Sequence, residues 1–258
     1  MSSSTPTPGT YLYCVGYAEA FSKDGSPVSA PGIEGDKVRT VEYADLAALV
    51  SDSHKSRYDV SRAAVMAHER VIEEAMARTD VLPVAFGMVA SSDQEVQEKL
   101  LKSQLDDLHR ALEHIRGRIE VDLRVLWNQD ALFAEIVDEN AEIRALRDSL
   151  IGQPADAAYE ERIHLGELTD AAINRKREQQ AESIVETLKP LVVDVRLNNL
   201  FSDMMILNAA FLVDKTQEPA LGAKVEALAE SQGGRQTYNY IGPLPPYNFV
   251  NVRVQQLE

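Results

Sequence analysis

Catalysis or metal binding in this chain would have to start from five histidines, one cysteine and a few paired acids. His68-Glu69 sets an imidazole beside a carboxylate but lacks the second histidine of a zinc-protease helix, so His68 reads as a partly buried helix residue. His109 and His114 lie five apart, on different faces of a helix, and make poor co-ligands; His54 and His164 stand alone. The pairs Glu73-Glu74, Asp106-Asp107 and Glu160-Glu161 point about 100° apart on a helix and read as solvated faces. Cys14, within the apolar run Tyr11-Leu12-Tyr13-Cys14-Val15, reads as a small buried hydrophobe. A single cysteine excludes an internal disulfide and a cysteine-based zinc cage. No glycine-rich phosphate loop is followed by lysine, and Gly32-x-x-Gly35 lacks the strand and helix of a dinucleotide fold. No serine stands in a Gly-x-Ser-x-Gly context. These residues support no catalytic, cofactor or metal site.

The chemistry this chain does carry is that of contact. Met204-Met205-Ile206-Leu207-Asn208-Ala209-Ala210-Phe211-Leu212-Val213 is too short to span a bilayer and reads as a strand buried on both faces. After a helix and a tyrosine strand comes Gly242-Pro243-Leu244-Pro245-Pro246-Tyr247-Asn248-Phe249-Val250. Its prolines lack the N–H that a sheet ladder needs and favour an extended path that costs little entropy to order. Tyr238, Tyr240, Tyr247 and Phe249 supply large rigid contact surfaces. Together with Phe86, Phe211, Pro245 and Pro246 they are the candidate packing and interaction residues. The tethered tail 242–258 is the expected cover for the face of Met204–Val213 that helices leave open.

The formal charge of −15 and pI near 4.8 disfavour a nucleic-acid partner, which needs a basic patch. Arg175-Lys176-Arg177, the only dense basic cluster, reads as a solvated helix face. No segment has the apolar length of a transmembrane helix. The start, residues 1–9, lacks the charged and apolar regions of a signal peptide and reads as a disordered leader, so a cytoplasmic location is expected.

At 258 residues the chain calls for one large or two medium domains. Over residues 10–117 the pattern predicts strands at Tyr11–Tyr17, Val38–Tyr43 and Leu46–Ser51, with Ala44-Asp45 as a hairpin turn and Pro31-Gly32 as a loop turn. Ser61 caps a helix to about Arg78, Val81–Val89 forms a strand, and Asp93 caps a helix ended by Gly117. Gly117 is the expected domain boundary. Beyond it Arg118–Val125 alternates strictly, and helices follow over Gln129–Leu150 and from about Asp156 to Leu188. Strands near Val192–Asn198 and Met204–Val213, a helix near Glu218–Ser231 and a strand Arg235–Ile241 complete residues 118–241. This order, β, helices, β, β, helix, β, predicts a ferredoxin-like sandwich with its first and third strands central. The long helix is polar around Arg175–Gln180 and is expected to project or bridge there.

Three segments carry a resemblance: Val81-Leu82-Pro83-Val84-Ala85-Phe86-Gly87, Met205–Asp214, and Tyr240-Ile241-Gly242-Pro243-Leu244-Pro245-Pro246-Tyr247-Asn248-Phe249-Val250. In these, in order, the chain resembles the GvpF/GvpL family of gas vesicle proteins from about Tyr11 to Val250. Ala85 stands where that family often has a basic residue, and Leu244 where tryptophan is frequent. The resemblance implies an α+β protein of two domains, the N-terminal one of uncommon arrangement and the C-terminal one a modified ferredoxin fold with an extended Pro-rich tail. It implies a non-enzymatic minor gas vesicle component, acting in nucleation or assembly and binding the hydrophobic shell protein GvpA, with other vesicle accessory proteins as further partners. The alternative is a small-molecule sensor, because ferredoxin-like domains often host effector sites.

Overall fold

Six successive residues, Tyr11–Gly16, are wholly buried in the first strand, β1 (Gly9–Tyr17), because the sheet around it is covered on both faces. The structure, a computed structural model, describes residues 9–21, 27–154 and 158–252. The leader over residues 1–8 and the start of the long helix at Asp156 lie outside them. By contact the chain divides into two units, Met1–Glu120 with Pro243–Glu258, and Val121–Gly242.

In the first unit β1 is followed by the short helix α1 (Ala18–Phe21), then β2 (Arg39–Tyr43) and β3 (Leu46–Ser53). With β4 (Leu82–Pro83) and β5 (Val89–Ala90), the sheet order is β2-β3-β1-β4, antiparallel, with β5 also pairing β1. Ala44 takes the left-handed conformation (φ 53°) in the two-residue turn between Tyr43 and Leu46, the geometry a tight hairpin demands. The register shifts between Leu12 and Cys14, so this bulge turns Tyr11, Tyr13 and Cys14 to one face and Leu12 and Val15 to the other. Helix α2 (Arg62–Met76), capped by the Ser61 side chain accepting from Ala64 N–H, covers the tyrosine face with His68, Val71, Ile72 and Ala75.

Val81–Val89 is not one strand. Pro83 cannot extend a ladder and Gly87 turns at φ +85°, so the segment splits into β4 (Leu82–Pro83) and β5 (Val89–Ala90). The helix that follows begins one residue early, with Ser92 as its cap, and is not a continuous α-helix. Helix α3 (Asp93–Glu95) passes into a π-helical stretch, Val96–Lys102, before α4 (Leu105–Ile115). Val96, Leu100, Leu101, Leu108, Leu112 and Ile115 cover the second face.

The chain leaves this unit along β6 (Arg118–Trp127). The expected helix over 129–150 breaks at Asn140 into α5 (Gln129–Glu139) and α6 (Ala141–Ser149), where the Asn140 side chain donates to Ile136 C=O at 2.7 Å. Then come α7 (Tyr159–Leu188), β7 (Asp194–Leu197), β8 (Met205–Asp214), α8 (Glu218–Ser231) and β9 (Gln236–Leu244). The sheet order β7-β8-β6-β9 puts the first and third strands of the unit in its centre. Strand β8 is buried on both faces.

Two expectations need correcting here. Gly242, Pro243 and Leu244 do join a strand; β9 is an edge strand, where a missing N–H faces no partner. The segment after it, expected as cover for β8, belongs as far as Val252 to the first unit. Val250 and Val252 enter the apolar core of the first unit, Val252 bridges Val84, and Asn248 clamps the buried Glu120 carboxylate through N–H at 2.8 Å and Nδ2 at 2.7 Å. Apolar side chains and a buried acid in need of donors draw the tail there, with Pro245 and Pro246 also buried.

Candidate functional site

Ionisable side chains converge at one place in the first unit, around His68. Strand alternation brings Tyr11 and Tyr13 to the same face, and the one-sided stripe of α2 brings His68 down on them. His68 is fully buried and stacks on Tyr13 at 5.6 Å between ring centres, with Tyr11 and Phe86 edge-on at 5.6 and 5.7 Å. Burial lowers its pKa to about 4, against a smaller upward pull from the Val84 carbonyl, so the ring is neutral at pH 7.

The partners then fix its tautomer. Val84 C=O, 3.1 Å from Nε2, can only accept, so Nε2 carries the proton and Nδ1 accepts from the Tyr11 hydroxyl at 3.0 Å. The Tyr11 oxygen in turn accepts from Gly87 N–H at 3.0 Å. The Tyr247 hydroxyl donates to Glu69 Oε1 at 3.0 Å, and its oxygen lies 3.3 Å from Nε2. Tyr13 accepts from Ile33 N–H at 2.8 Å and pairs with Ser51 at 2.9 Å. That loop approaches so closely because Gly32 has no side chain; a Cβ there would lie 2.7 Å from the Tyr13 oxygen. Tyr58 bonds Ser53 at 2.7 Å and is pushed up to about 12 by burial. Burial likewise raises Tyr11, Tyr13, Tyr247 and Glu69. Every one of these groups is engaged, and no tyrosine is poised to exchange a proton near neutrality. The cluster is a polar core that orders the fold.

The sequence-derived candidates do not form one site. Phe86 and Tyr247 join this cluster. Phe211 is buried in β8, while Pro245 and Pro246 are buried in the tail beside the half-buried Phe249. Tyr238 and Tyr240 are half-buried on β9; Tyr238 donates to Gln236 at 2.9 Å and Tyr240 to Glu218 on α8 at 3.0 Å. His54, which stands alone in the sequence, has a ligand-type atom within 4.8 Å of others on Glu34 and Asp36. Glu34 is already engaged by Lys55 at 3.5 Å and by His54 N–H at 3.0 Å, which accounts for its lowered pKa.

Sequence reading also missed an open region in the second unit. From Tyr159 to Ala171 no side chain of α7 is buried; Tyr159 and Ile163 are 66% and 46% exposed, and Phe133 of α5, which shares a hollow with Leu165 and Thr169, is 40% exposed. The Arg175–Gln180 segment, expected to project or bridge, bridges. Lys176 pairs with Glu135 and Glu139, Arg177 bonds the Met205 and Asp203 carbonyls over the Trp127 ring, and Gln180 accepts from Trp127 Nε1 at 2.7 Å. Polar side chains here satisfy buried partners, a use that charge counting cannot show.

This is an α+β protein in which the ionisable groups around His68 are committed to its own fold. The family model described as Gas vesicle synthesis protein GvpL/GvpF matches residues 9–251, and the chain belongs to that family. It is similar to gas vesicle protein F of Microcystis aeruginosa (strain PCC 7806), 28% identical over 95% of this chain and 99% of that one. Gas vesicle protein F of Streptomyces sp. (strain CB03234) is 30% identical over 93% and 99%. The crystal structure of GvpF from Microcystis aeruginosa superposes with a TM-score of 0.77 at 27% identity, covering 93% of this chain and 98% of that one. The role of this protein is therefore associated with the gas vesicle. No helix among the described residues is long and apolar enough to cross a membrane.

Proposed function

We propose that this protein is a non-catalytic minor component of the gas vesicle that acts in vesicle nucleation or early assembly, binding the hydrophobic shell protein GvpA and keeping it from aggregating. The observation that carries this reading is family membership across residues 9–251. Two features of the chain support it. The acidic composition gives a self-repelling, soluble body suited to handling sticky subunits. The outer strands of the second sheet, β7 and β9, have no further strand partner among the described residues and carry apolar side chains: Leu197 and Phe201 near β7 are 69% and 68% exposed, and Tyr238, Tyr240 and Ile241 lie on β9. Unpaired strand edges are natural templates for another extended chain. Of the candidate residues, Tyr238 and Tyr240 are the proposed contacts, and Phe211, Pro245 and Pro246 act in packing.

The test is to mix purified protein with purified GvpA and follow light scattering and co-sedimentation. Suppressed scattering and a joint species are expected, with a weaker effect for Tyr238→Ser/Tyr240→Ser. Unchanged GvpA aggregation, together with normal vesicles in a strain lacking this protein, would sink the reading.

A further inference from the structure

The open flank of α7 is a continuous groove. A central hollow of about 540 Å³ is lined by Phe133, Ile136, Val137, Ile143 and Leu165. Through Leu165 and Thr169 it runs into a second, of about 510 Å³, beside Leu150 and Ile151; through Phe133 it runs into a third, of about 370 Å³, beside Ile173. The hollows follow α7 from Arg162 to Arg177, roughly 22 Å at the helical rise. A small molecule would fill one hollow and leave the others wet. A helix of about four turns spans all three.

Charge narrows the occupant further. Residues 129–170 hold eleven Asp and Glu against three Arg and no Lys, so more than half of the net charge of −15 is concentrated there. Lys176 pairs with Glu135 and Glu139, and Arg235 also pairs with Glu135. The charged residues that line the hollows are Asp138, Asp170 and Asp203 with Arg147, Arg162 and Arg177; Arg147 pairs with Asp148, Arg162 and Arg177 bond backbone carbonyls, and Asp138 and Asp170 make no ion pair among the described residues. The lining is balanced, but the helices that carry it are acidic, and that surround repels nucleic acid and anionic lipid and attracts Lys and Arg.

We propose that this groove docks an amphipathic, basic helix of a partner protein, its apolar face on Phe133, Val137 and Leu165 and its cationic flanks against Asp138 and Asp170. An apolar floor with a charged rim is the pattern of helix-in-groove recognition. The inference does not require that the partner be the shell protein.

The probe is a labelled peptide with Leu at helical spacing and Lys elsewhere, compared with a twin carrying Glu for Lys, titrated by fluorescence anisotropy into the full chain. The Lys peptide should bind, more weakly as salt rises, and the Glu twin should not. Phe133→Ser and, separately, Asp138→Lys/Asp170→Lys should each weaken binding at least roughly tenfold, the loss of one well-packed or charged anchor. Circular dichroism checks that both variants stay folded. Unchanged affinity in Phe133→Ser would reduce the attraction to bulk charge and overturn the proposal. So would equal binding of the twins, or no binding by either. A concentration-dependent dimer that Phe133→Ser abolishes would make the occupant a second copy of this chain, which also overturns it.

Discussion

Around His68, three tyrosines, a carboxylate and backbone groups are packed together and all partnered; along the first half of α7, Tyr159, Ile163 and Phe133 face water. The first region places polar groups where burial is deepest, and the second places apolar groups where it is least. Both arrangements run against the usual sorting of side chains, and they do so for different reasons. Buried polar groups are tolerable only if each finds its partner, so the first region specifies one arrangement of sheet, helix and tail. Exposed apolar groups add little to folding, so the second region is free to serve contact.

The comparison is most severely tested by removing residues 243–258. The tail gives the first unit Tyr247 over His68, Val250 and Val252 in its core, and Asn248 on Glu120. Each large apolar side chain contributes about 1.5–3 kcal/mol on burial. The truncated chain should therefore lose on the order of 5 kcal/mol and its first unit should melt early, measured by urea denaturation. A native melting curve would show that the closed region closes without its strap.

His68→Phe is the next largest effect. A flat ring, somewhat larger, is kept, but Val84 C=O loses its donor, and the Tyr11 hydroxyl its acceptor, in a buried site. Two orphaned groups cost about 1–3 kcal/mol each, so a loss of roughly 3 kcal/mol is expected from chemical denaturation. A loss below about 1 kcal/mol would mean that the network is incidental to packing.

The same variant isolates a pH dependence. The folded His68 pKa, about 4, lies below the unfolded value near 6.5, so the unfolded chain binds the extra proton between them. Its contribution is present in full above pH 6.5 and is lost as pH falls through 4, with a full extent of about 3 kcal/mol. Glu69, raised by burial, acts with the opposite sign, and the facing tyrosines Tyr11, Tyr13 and Tyr247 titrate far above this window. The wild-type stability should fall more steeply than that of His68→Phe between pH 6.5 and 4. Parallel curves would show that the histidine is not titrating as the geometry requires.

Periodicity made the second sheet readable. Arg118–Val125 alternates and Met205–Val213 does not, so a half-buried central strand and a doubly buried one could be told apart before their order was known. The split of Val81–Val89, the π-helical stretch at Val96–Lys102 and the break at Asn140 were not legible, because each depends on one backbone conformation and not on a repeat. The tail's destination was illegible for another reason. Its prolines and aromatics announce contact, but the partner, Glu120 with the cluster around His68, lies far off in sequence. Tyr11 and Tyr13 looked like ordinary strand residues; only the arrival of His68 makes them a network. The groove left little trace in the sequence, since apolar Leu165 is diluted among acids.

The smallest expected effect bears most directly on the open region. Phe133 is 40% exposed, and in Phe133→Ser only the covered part of the ring is lost from apolar contact. No hydrogen bond or ion pair among the described residues depends on its side chain. Surface changes of this kind usually fall within about 0.5 kcal/mol, and partial burial here raises the expected loss to under about 1 kcal/mol. Calorimetry of the full chain would detect a shift of this size. A residue that costs so little to replace, yet sits where two hollows meet, would not be there for the sake of the fold. If Phe133→Ser destabilised the chain as much as His68→Phe does, the groove would be core that happens to be thinly covered. The contrast between a region built to close and a region built to stay open would then collapse.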